Sequence, residues 1–364
     1  MGVLCAARVG EAPMPQTRAA QFVEKDLRGL IAGVLSRPYR AFLGSRSRQV
    51  PPVSDEVSRT ALRAEIDALP SDQRLVDSGK LHVYYAHAGQ IPWILQEIGR
   101  LRELTFRAAG EGTGKRSDID LFDSYYLHLF VWDADAEAIA GAYRLGLVDE
   151  ILAHYGKRGL YTHSLFRYGA RALESLNPAI ELGRSFVRAE YQRSFAALLL
   201  LWVGIARFVE RAPQYAVLFG AVSISNSYAP TSRRLIVEYL STHRSEARLA
   251  SQIRSRRPYR IGTGSVTVGA AASAPKNIDE LSRVIEKIEQ DGKGVPILLK
   301  QYLRLGGKLL GFNLDAAFGN TLDGLIMVDL RQVEPNVLAR YMGKAGAAAF
   351  YAYHANQSTR RRAS

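Results

Sequence analysis

Residues 180–209 read IELGRSFVRAEYQRSFAALLLLWVGIARFV, and this stretch decides the fold. Its first half sets Glu181, Arg184 and Arg188 among Leu182, Phe186 and Val187, the alternation of a partly buried strand with one wet face. Tyr191, Gln192, Arg193 and Ser194 then form a short polar corner. Ser194 is a good N-cap, and residues 196–209 are too few for a bilayer span of about 20 residues but well sized for a buried helix. A strand delivering charged groups into a helix N-terminus offers free backbone N–H groups and a positive dipole end, which suits a phosphate or a pantetheine arm. A core strand–helix unit without a ligand has the same pattern, so the stretch alone leaves both readings open.

With 364 residues, 47% of them hydrophobic, the chain can bury a substantial core as one large domain or two modest ones. Lys and Arg number 48 against 35 Asp and Glu, and the net charge of +13 favours acidic partners such as nucleic acid, anionic lipid or an acidic carrier protein. Charge does not choose among them. Cys5 is the only cysteine, which excludes an intramolecular disulfide and a multi-cysteine metal site and fits a reducing compartment. No HExxH pair occurs and no metal is expected. Neither a secretory signal nor a membrane-spanning run is visible, so a cytoplasmic place, or a peripheral one on an inner membrane face, is expected.

Residues 1–54 read as a basic N-terminal region. Within it, 22–43 carries Phe22, Leu27, Leu30, Ile31 and Val34 at helical spacing beside Lys25, Arg28, Arg37 and Arg40. Such an amphipathic helix lies on an anionic membrane surface or docks on its own domain. The main domain is assigned to 55–355. It holds a helix over 56–69, a strand over 80–85, a helix over 91–106 and a hairpin of 125–132 and 139–145. After the central unit come a buried strand over 215–225 and a helix over 231–242. A basic, small-residue insertion, 244–275, is expected as a solvated loop. Helices over 278–289 and 295–305 and strands over 308–313 and 325–330 follow, and 356–364 is expected to be a disordered basic tail. The glycine-rich run AGEGTGKR, 109–116, imitates a phosphate-binding loop. It lacks the first glycine and the hydroxyl residue after the lysine, and it follows a helix instead of a strand.

This order resembles the GNAT acyltransferase fold, in which a strand–helix corner holds a pantetheine arm between two parallel strands that splay apart. The expected class is therefore α/β: a GNAT-like mixed, centrally splayed sheet with helices on both faces, an N-terminal amphipathic helix and a C-terminal helical insertion. Arg102 and Phe106 in RELTF, Asp120 and Asp123 in DLFD, Arg144 in GAYRL, and Glu181 and Arg184 in ELGR fall in the order and local spacing of acyl-homoserine lactone synthases. Over residues 80–355 the wording (IGRLRELTFR, YYLHLFVWD, LFGAVSISNSY, GKGVPILLKQYL) resembles bacterial hemolysin-like proteins related to the N-acyltransferases that make lyso-ornithine lipid. His128 and Asp133 match an HxxxxD string of O-acyltransferases, but the spacer LFVW makes it a buried strand pattern and the match accidental.

The resemblance implies transfer of a (3-hydroxy)fatty acyl chain from acyl-phosphopantetheine on acyl carrier protein to the α-amine of an amino acid such as ornithine. That reaction needs a deprotonated amine, a polarised thioester carbonyl and an acid for the departing thiol. Glu181 is the first choice of base, because the resemblance places it on the strand facing the reaction centre, and Asp120 and Asp123 come next. Arg102, Arg144 and Arg184, with Phe106, are expected at the acceptor, the arginines clamping its carboxylate or ordering the fold as an ion-pair network. Strict alternation puts Glu181 and Arg184 on opposite faces, so their joint action requires a bulge, expected at Gly183. Gln192, Arg193, Ser194, Ser223, Ser225 and Asn226 are expected along the acyl-pantetheine arm. Tyr228 either protonates the thiolate or packs in a turn. Phe195, where a GNAT phosphate loop has glycine, favours a carrier-protein donor over coenzyme A. Competing readings are an acyl-homoserine-lactone-type synthase and a non-catalytic basic module on membrane or nucleic acid. Nucleic acid is the less expected partner, and a pore-forming hemolysin is disfavoured for want of a spanning segment.

Overall fold

Apolar alternation in the strand-forming runs builds an eight-stranded sheet in the order β1-β2-β3-β4-β6-β7-β10-β9. The computed structural model describes residues 50–260 and 275–363, so the amphipathic segment 22–43 and most of the small-residue stretch lie outside the described residues. The strands are β1 (Arg74–Ser78), β2 (Leu81–His87), β3 (Leu127–Asp133), β4 (Ala138–Leu147), β5 (Phe166–Tyr168), β6 (Ala179–Val187), β7 (Val217–Ile224), β8 (Ile253–Ser255), β9 (Lys308–Asp315) and β10 (Thr321–Asp329). Every neighbouring pair in the large sheet is antiparallel except β6 and β7.

Those two strands pair in parallel over only three positions, Ala179 with Val217, Ile180 with Leu218 and Glu181 with Phe219, and then part. Beyond that point β6 stays paired with β4 and β7 stays paired with β10. The cause lies in β6. Its partner in β4 moves from Arg144 at Gly183 to Ala142 at Phe186, so Arg184 and Ser185 together face one residue of β4. Arg184 takes a left-handed backbone with φ of 52°, and this bulge turns β6 away from β7. The expected bulge is present, one residue after Gly183. At the fork Gly220 lies so close to β6 that a Cβ on it would stand 2.1 Å from the Leu182 carbonyl oxygen.

Helices cover both faces. On one, α1 (Arg59–Ala68) and α2 (Pro92–Ala108) press Leu62, Ile94, Ile98 and Leu101 onto Phe130, Trp132 and Ile139. On the same face α3 (Val148–Tyr155) and α4 (Ala170–Leu176) cover Phe219, Leu310 and Leu325. Across the sheet α5 (Ala196–Arg211) buries Leu201, Trp202, Ile205 and Val209, joined by α6 (Pro230–His243), α7 (Ile278–Ile288), α8 (Ile297–Arg304) and α9 (Pro335–Ala363). Among the described residues no helix is long and apolar enough to cross a membrane.

Three local expectations are corrected. The polar corner winds into a helical turn, Ala189–Gln192, and Phe195 instead of Ser194 takes the N-cap of α5, with no side-chain cap. Its ring is buried, and that burial outweighs the single hydrogen bond Ser194 would have supplied. The basic segment after α6 is not a bare loop: it forms a turn, Ala247–Ala250, and then β8 paired with β5. Leu249 and Ile253 are buried there, two apolar anchors masked in the sequence by surrounding arginines. The basic C-terminal residues continue α9 as far as Ala363, past a break at Gly343 where φ is 75°.

Gly220→Ala is expected to cost roughly 1–3 kcal/mol of stability, because the added methyl meets backbone that cannot move without closing the fork. Urea denaturation of the variant beside the parent checks this, whereas equal stability would show that the fork adapts.

Candidate active site

Turns and strand ends on the α2 face deliver a buried ion-pair network. Arg102 of α2 grips the Asp123 carboxylate with both terminal nitrogens, at 2.9 and 2.8 Å. Arg144 of β4 bonds Asp120 at 2.6 Å and Asp123 at 3.2 Å. Asp120 and Asp123 cap each other reciprocally across one turn, which fixes both carboxylates. Arg184, re-aimed by its bulge, reaches Asp118 and Asp120, each at 3.3 Å, and lies 4.8 Å from the Tyr161 ring centroid and 4.4 Å from that of Phe318. Three guanidinium groups thus meet three carboxylates. Asp118, at the hairpin entrance, completes the set although no site role is read for it in the sequence. Burial pushes the Asp123 carboxyl up, but Arg102 and Arg144 outweigh it and hold it well below the usual carboxylate range.

Glu181 sits behind this network, 1% exposed. Its carboxylate accepts from the Tyr126 hydroxyl, from the Thr162 N–H at 2.5 Å and from the Tyr161 N–H at 3.2 Å. Burial raises its pKa against the pull of those donors. Its oxygens are directed at the segment before β5 and do not line the cavity described next.

Where β6 and β7 part there is a cavity of about 150 Å³. Gly183, Arg184 and Ser185 line it from β6, and Ala221, Val222 and Ser223 from β7. Beyond the fork the facing edges of these strands have no strand partner, which is the arrangement that accepts an extended amide-bearing arm by backbone hydrogen bonds. Of the residues expected at substrate, Phe106, Arg184 and Ser223 line the cavity, whereas Arg102, Arg144, Asp120 and Asp123 stand behind it. Gln192, Arg193 and Ser194 are exposed at the outer corner, and Gln192 donates to the Val187 carbonyl at 2.8 Å.

The remaining expected residues face elsewhere. Ser225 donates to the Ala109 carbonyl at 3.2 Å and Asn226 to that of Gly319 at 2.7 Å, so both tie the end of β7 to loops distant in sequence. Tyr228 donates to the Gly294 carbonyl at 2.7 Å with Lys293 4.7 Å from its ring centroid, and it lines a separate cleft beside Glu289. It is a packed turn residue, whose hydroxyl burial pushes up, away from thiolate chemistry. His128 bonds the Asp123 carbonyl, while Asp133 bonds Tyr191, so the HxxxxD pair forms no unit.

Three carboxyl groups that the sequence reading passes over complete the cavity: Glu111 from the turn after α2, Asp315 at the end of β9 and Asp323 in β10. Asp323 accepts from the Ser223 hydroxyl at 2.8 Å, and Asp315 from that of Tyr161 at 3.3 Å. Burial pushes Glu111 up to about 7; burial, then the charges of Asp315 and Glu111, do the same for Asp323, against the Ser223 bond and Arg184. A signal was available, since Asp323 interrupts the apolar run of a buried strand. Glu111 was hidden inside the glycine-rich loop set aside as a false phosphate-binding motif.

Asp123→Asn removes one side of two buried pairs and is expected to cost about 3–5 kcal/mol at pH 7. The folded-state pKa of Asp123 lies below its unfolded value, so its contribution is complete above that value and is lost as pH falls toward the folded one. Denaturation measured from about pH 5 down to about pH 2 should show a smaller loss toward acid in Asp123→Asn than in the parent. His128, whose pKa burial lowers to about 4, adds the same sign of dependence in both proteins, since the unfolded chain takes up its proton first.

The Acetyltransferase (GNAT) domain family matches residues 101–203, from the middle of α2 through the fork and into α5. A glycine N(alpha)-acyltransferase of Phocaeicola vulgatus is 30% identical over 308 residues, which are 80% of this chain and 92% of that one. An L-ornithine N(alpha)-acyltransferase of Rhizobium meliloti is 29% identical over 255 residues, 68% of this chain and 78% of that one. The solved structure of a CoA-dependent acyl-homoserine lactone synthase, with SAM and isopentyl-CoA, aligns with a TM-score of 0.35 at 13% identity, over 73% of this chain and 97% of that chain. The chain belongs to the N(alpha)-acyltransferase family, built on a GNAT acetyltransferase domain.

Proposed function

We propose that this acyltransferase moves a fatty acyl chain from the thioester of a phosphopantetheine arm to the α-amine of an amino acid. The observation that carries the reading is the fork between β6 and β7, which opens onto a cavity holding both a guanidinium group and carboxyl groups. The arm would lie along the freed strand edges with its thioester in the cavity, and Gln192, Arg193 and Ser194 stand exposed at the corner where its phosphate would arrive. An amino acid is a zwitterion, and Arg184 is the cation on the cavity wall suited to its carboxylate. Relatives named for glycine and for L-ornithine make these two the acceptors to test first.

Acyl carrier protein is the proposed donor. Phe195 at the start of α5 puts a ring where a coenzyme A phosphate loop needs close backbone, and a net charge of +13 suits an acidic carrier. The product would be a lyso-aminolipid, an amphiphile that a basic protein would release at an anionic membrane surface. Glu181 acts in this scheme as a positioning residue, tying Tyr161 and Thr162 beneath Arg184.

Incubating the purified chain with acyl carrier protein or coenzyme A thioesters and a panel of amino acids, then analysing the products by mass spectrometry, tests the reading. An N-acyl amino acid, formed faster from the carrier protein, is expected. No product from either donor overturns the proposal, and a preference for coenzyme A overturns its donor. Glu181→Gln should lose about 1–3 kcal/mol of stability through mismatched buried donors and lower kcat, while its pH–rate profile keeps the parent's shape.

A further inference from the structure

We propose that Glu111 and Asp323 form the subsite for the acceptor's amine: the two carboxyl groups hold the incoming ammonium, and Asp323 takes the proton that must leave before nitrogen can attack. The inference rests on the N-acyltransferase reading above and assigns its base to the C-terminal hairpin instead of the central strand.

Position comes first. Asp323 lies opposite Ser223 in the β10–β7 register, and the hydrogen bond between them holds the carboxyl against the part of β7 that has left β6. Glu111 enters from the other side, on a turn whose Gly110 has φ of 76°. Both line the cavity that Arg184 also lines, so a zwitterion with its carboxylate on Arg184 has its amine end toward them.

Charge comes second. Arg102, Arg144 and Arg184 are matched by Asp118, Asp120 and Asp123, which leaves no surplus cation in the network. Among the described residues neither Glu111 nor Asp323 has a basic side chain within ion-pair distance, and Asp315 adds a third carboxyl to the same walls. Two acids on the wall of one cavity with no cation within ion-pair distance are stable only if they hold protons or receive a cation from outside. An ammonium group is that cation, and burial places both acids near neutrality, where proton exchange with an amine is efficient.

A third observation is independent of the acids. The Tyr143 hydroxyl is buried on the cavity wall and completes no hydrogen bond, with Ser185 and Tyr302 as its polar neighbours. Ser185 and Tyr302 line the same cavity, so three hydroxyls gather where a ligand oxygen or sulfur would sit.

The ammonium gives one proton to Asp323, its nitrogen lone pair forms the C–N bond at the thioester carbon, and the C–S bond breaks with its electron pair on sulfur. The nitrogen's second proton passes to the sulfur, which leaves as a thiol, and the proton on Asp323 is released to solvent. The groups facing Asp323 are Ser223 of β7, Asp315 of β9, Glu111 and Arg184 of β6, so its titration belongs to that set.

Two measurements on the full chain test this. Calorimetry compares ornithine and glycine with valerate and acetate, which lack the α-amine. The parent should prefer the amino acids at least tenfold, and Asp323→Asn and Glu111→Gln should each lose that preference. An unchanged preference in both variants overturns the subsite whether or not acyl transfer is found. Acyl-transfer rates across pH 6–9 then examine the base. Asp323→Asn should lower kcat about 100-fold or more and lose the limb near neutrality, and Asp323→Glu should restore it in part. A variant that keeps the parent's limb refutes the base. An inactive parent that still shows the amine preference would fault the transferase reading and leave the subsite standing.

Discussion

A single left-handed residue in the middle of β6 shapes the centre of the sheet. Arg184 at φ of 52° is a conformation that costs a non-glycine residue on the order of 1–2 kcal/mol, and the bulge it creates does three things. It ends the pairing of β6 with β7, it turns the Arg184 side chain onto the face that holds Asp118 and Asp120, and it leaves a cavity in the centre of an otherwise continuous sheet. Stacking against Tyr161 and Phe318 and two ion pairs offset the strain. Gly220 matters for the complementary reason, since only a residue without a side chain allows β7 to pass Leu182 before the strands separate.

Charge around the fork is divided into two classes. The Arg102–Arg144–Arg184 network with its three aspartates is internally neutral, and bidentate and reciprocal hydrogen bonds offset part of its cost in desolvation. Such a network orders its surroundings, since every guanidinium in it faces a carboxylate, while Arg184 Nε, Arg144 Nη2 and Asp118 Oδ2 complete no hydrogen bond within it. Glu181 belongs to the same class, closed by three donors. The acids across the cavity are of the other class. Burial without a cation in ion-pair distance leaves Glu111 and Asp323 able to change protonation near neutral pH, the property expected of groups that meet a basic substrate.

The residues that the family resemblance names cluster around the fork, most of them behind the cavity instead of on its wall. It names seven residues around the fork, and six of them, Arg102, Asp120, Asp123, Arg144, Arg184 and Glu181, form the ion-pair and hydrogen-bond framework, while Phe106 and Arg184 reach the cavity itself. Motif spacing reports which side chains recur together. It does not say which of them still has a free valence.

The sequence by itself determined the sheet, the strand–helix corner and the need for a bulge between Glu181 and Arg184, because alternation over residues 180–188 is a local property that burial enforces. It also showed that no described helix would span a bilayer, since length and apolarity are read along the chain. Only the tertiary structure decided that Phe195 outcompetes Ser194 for the cap of α5, that Leu249 and Ile253 anchor a basic segment to β9 and β5, and that Tyr228 faces away from the fork. Above all it decided that Glu111, Asp315 and Asp323, spread over more than 200 residues of chain, share one cavity. Each is an ordinary acid in its own sequence window. What makes them chemically distinct is burial opposite one another, a relation between distant segments that no local pattern encodes.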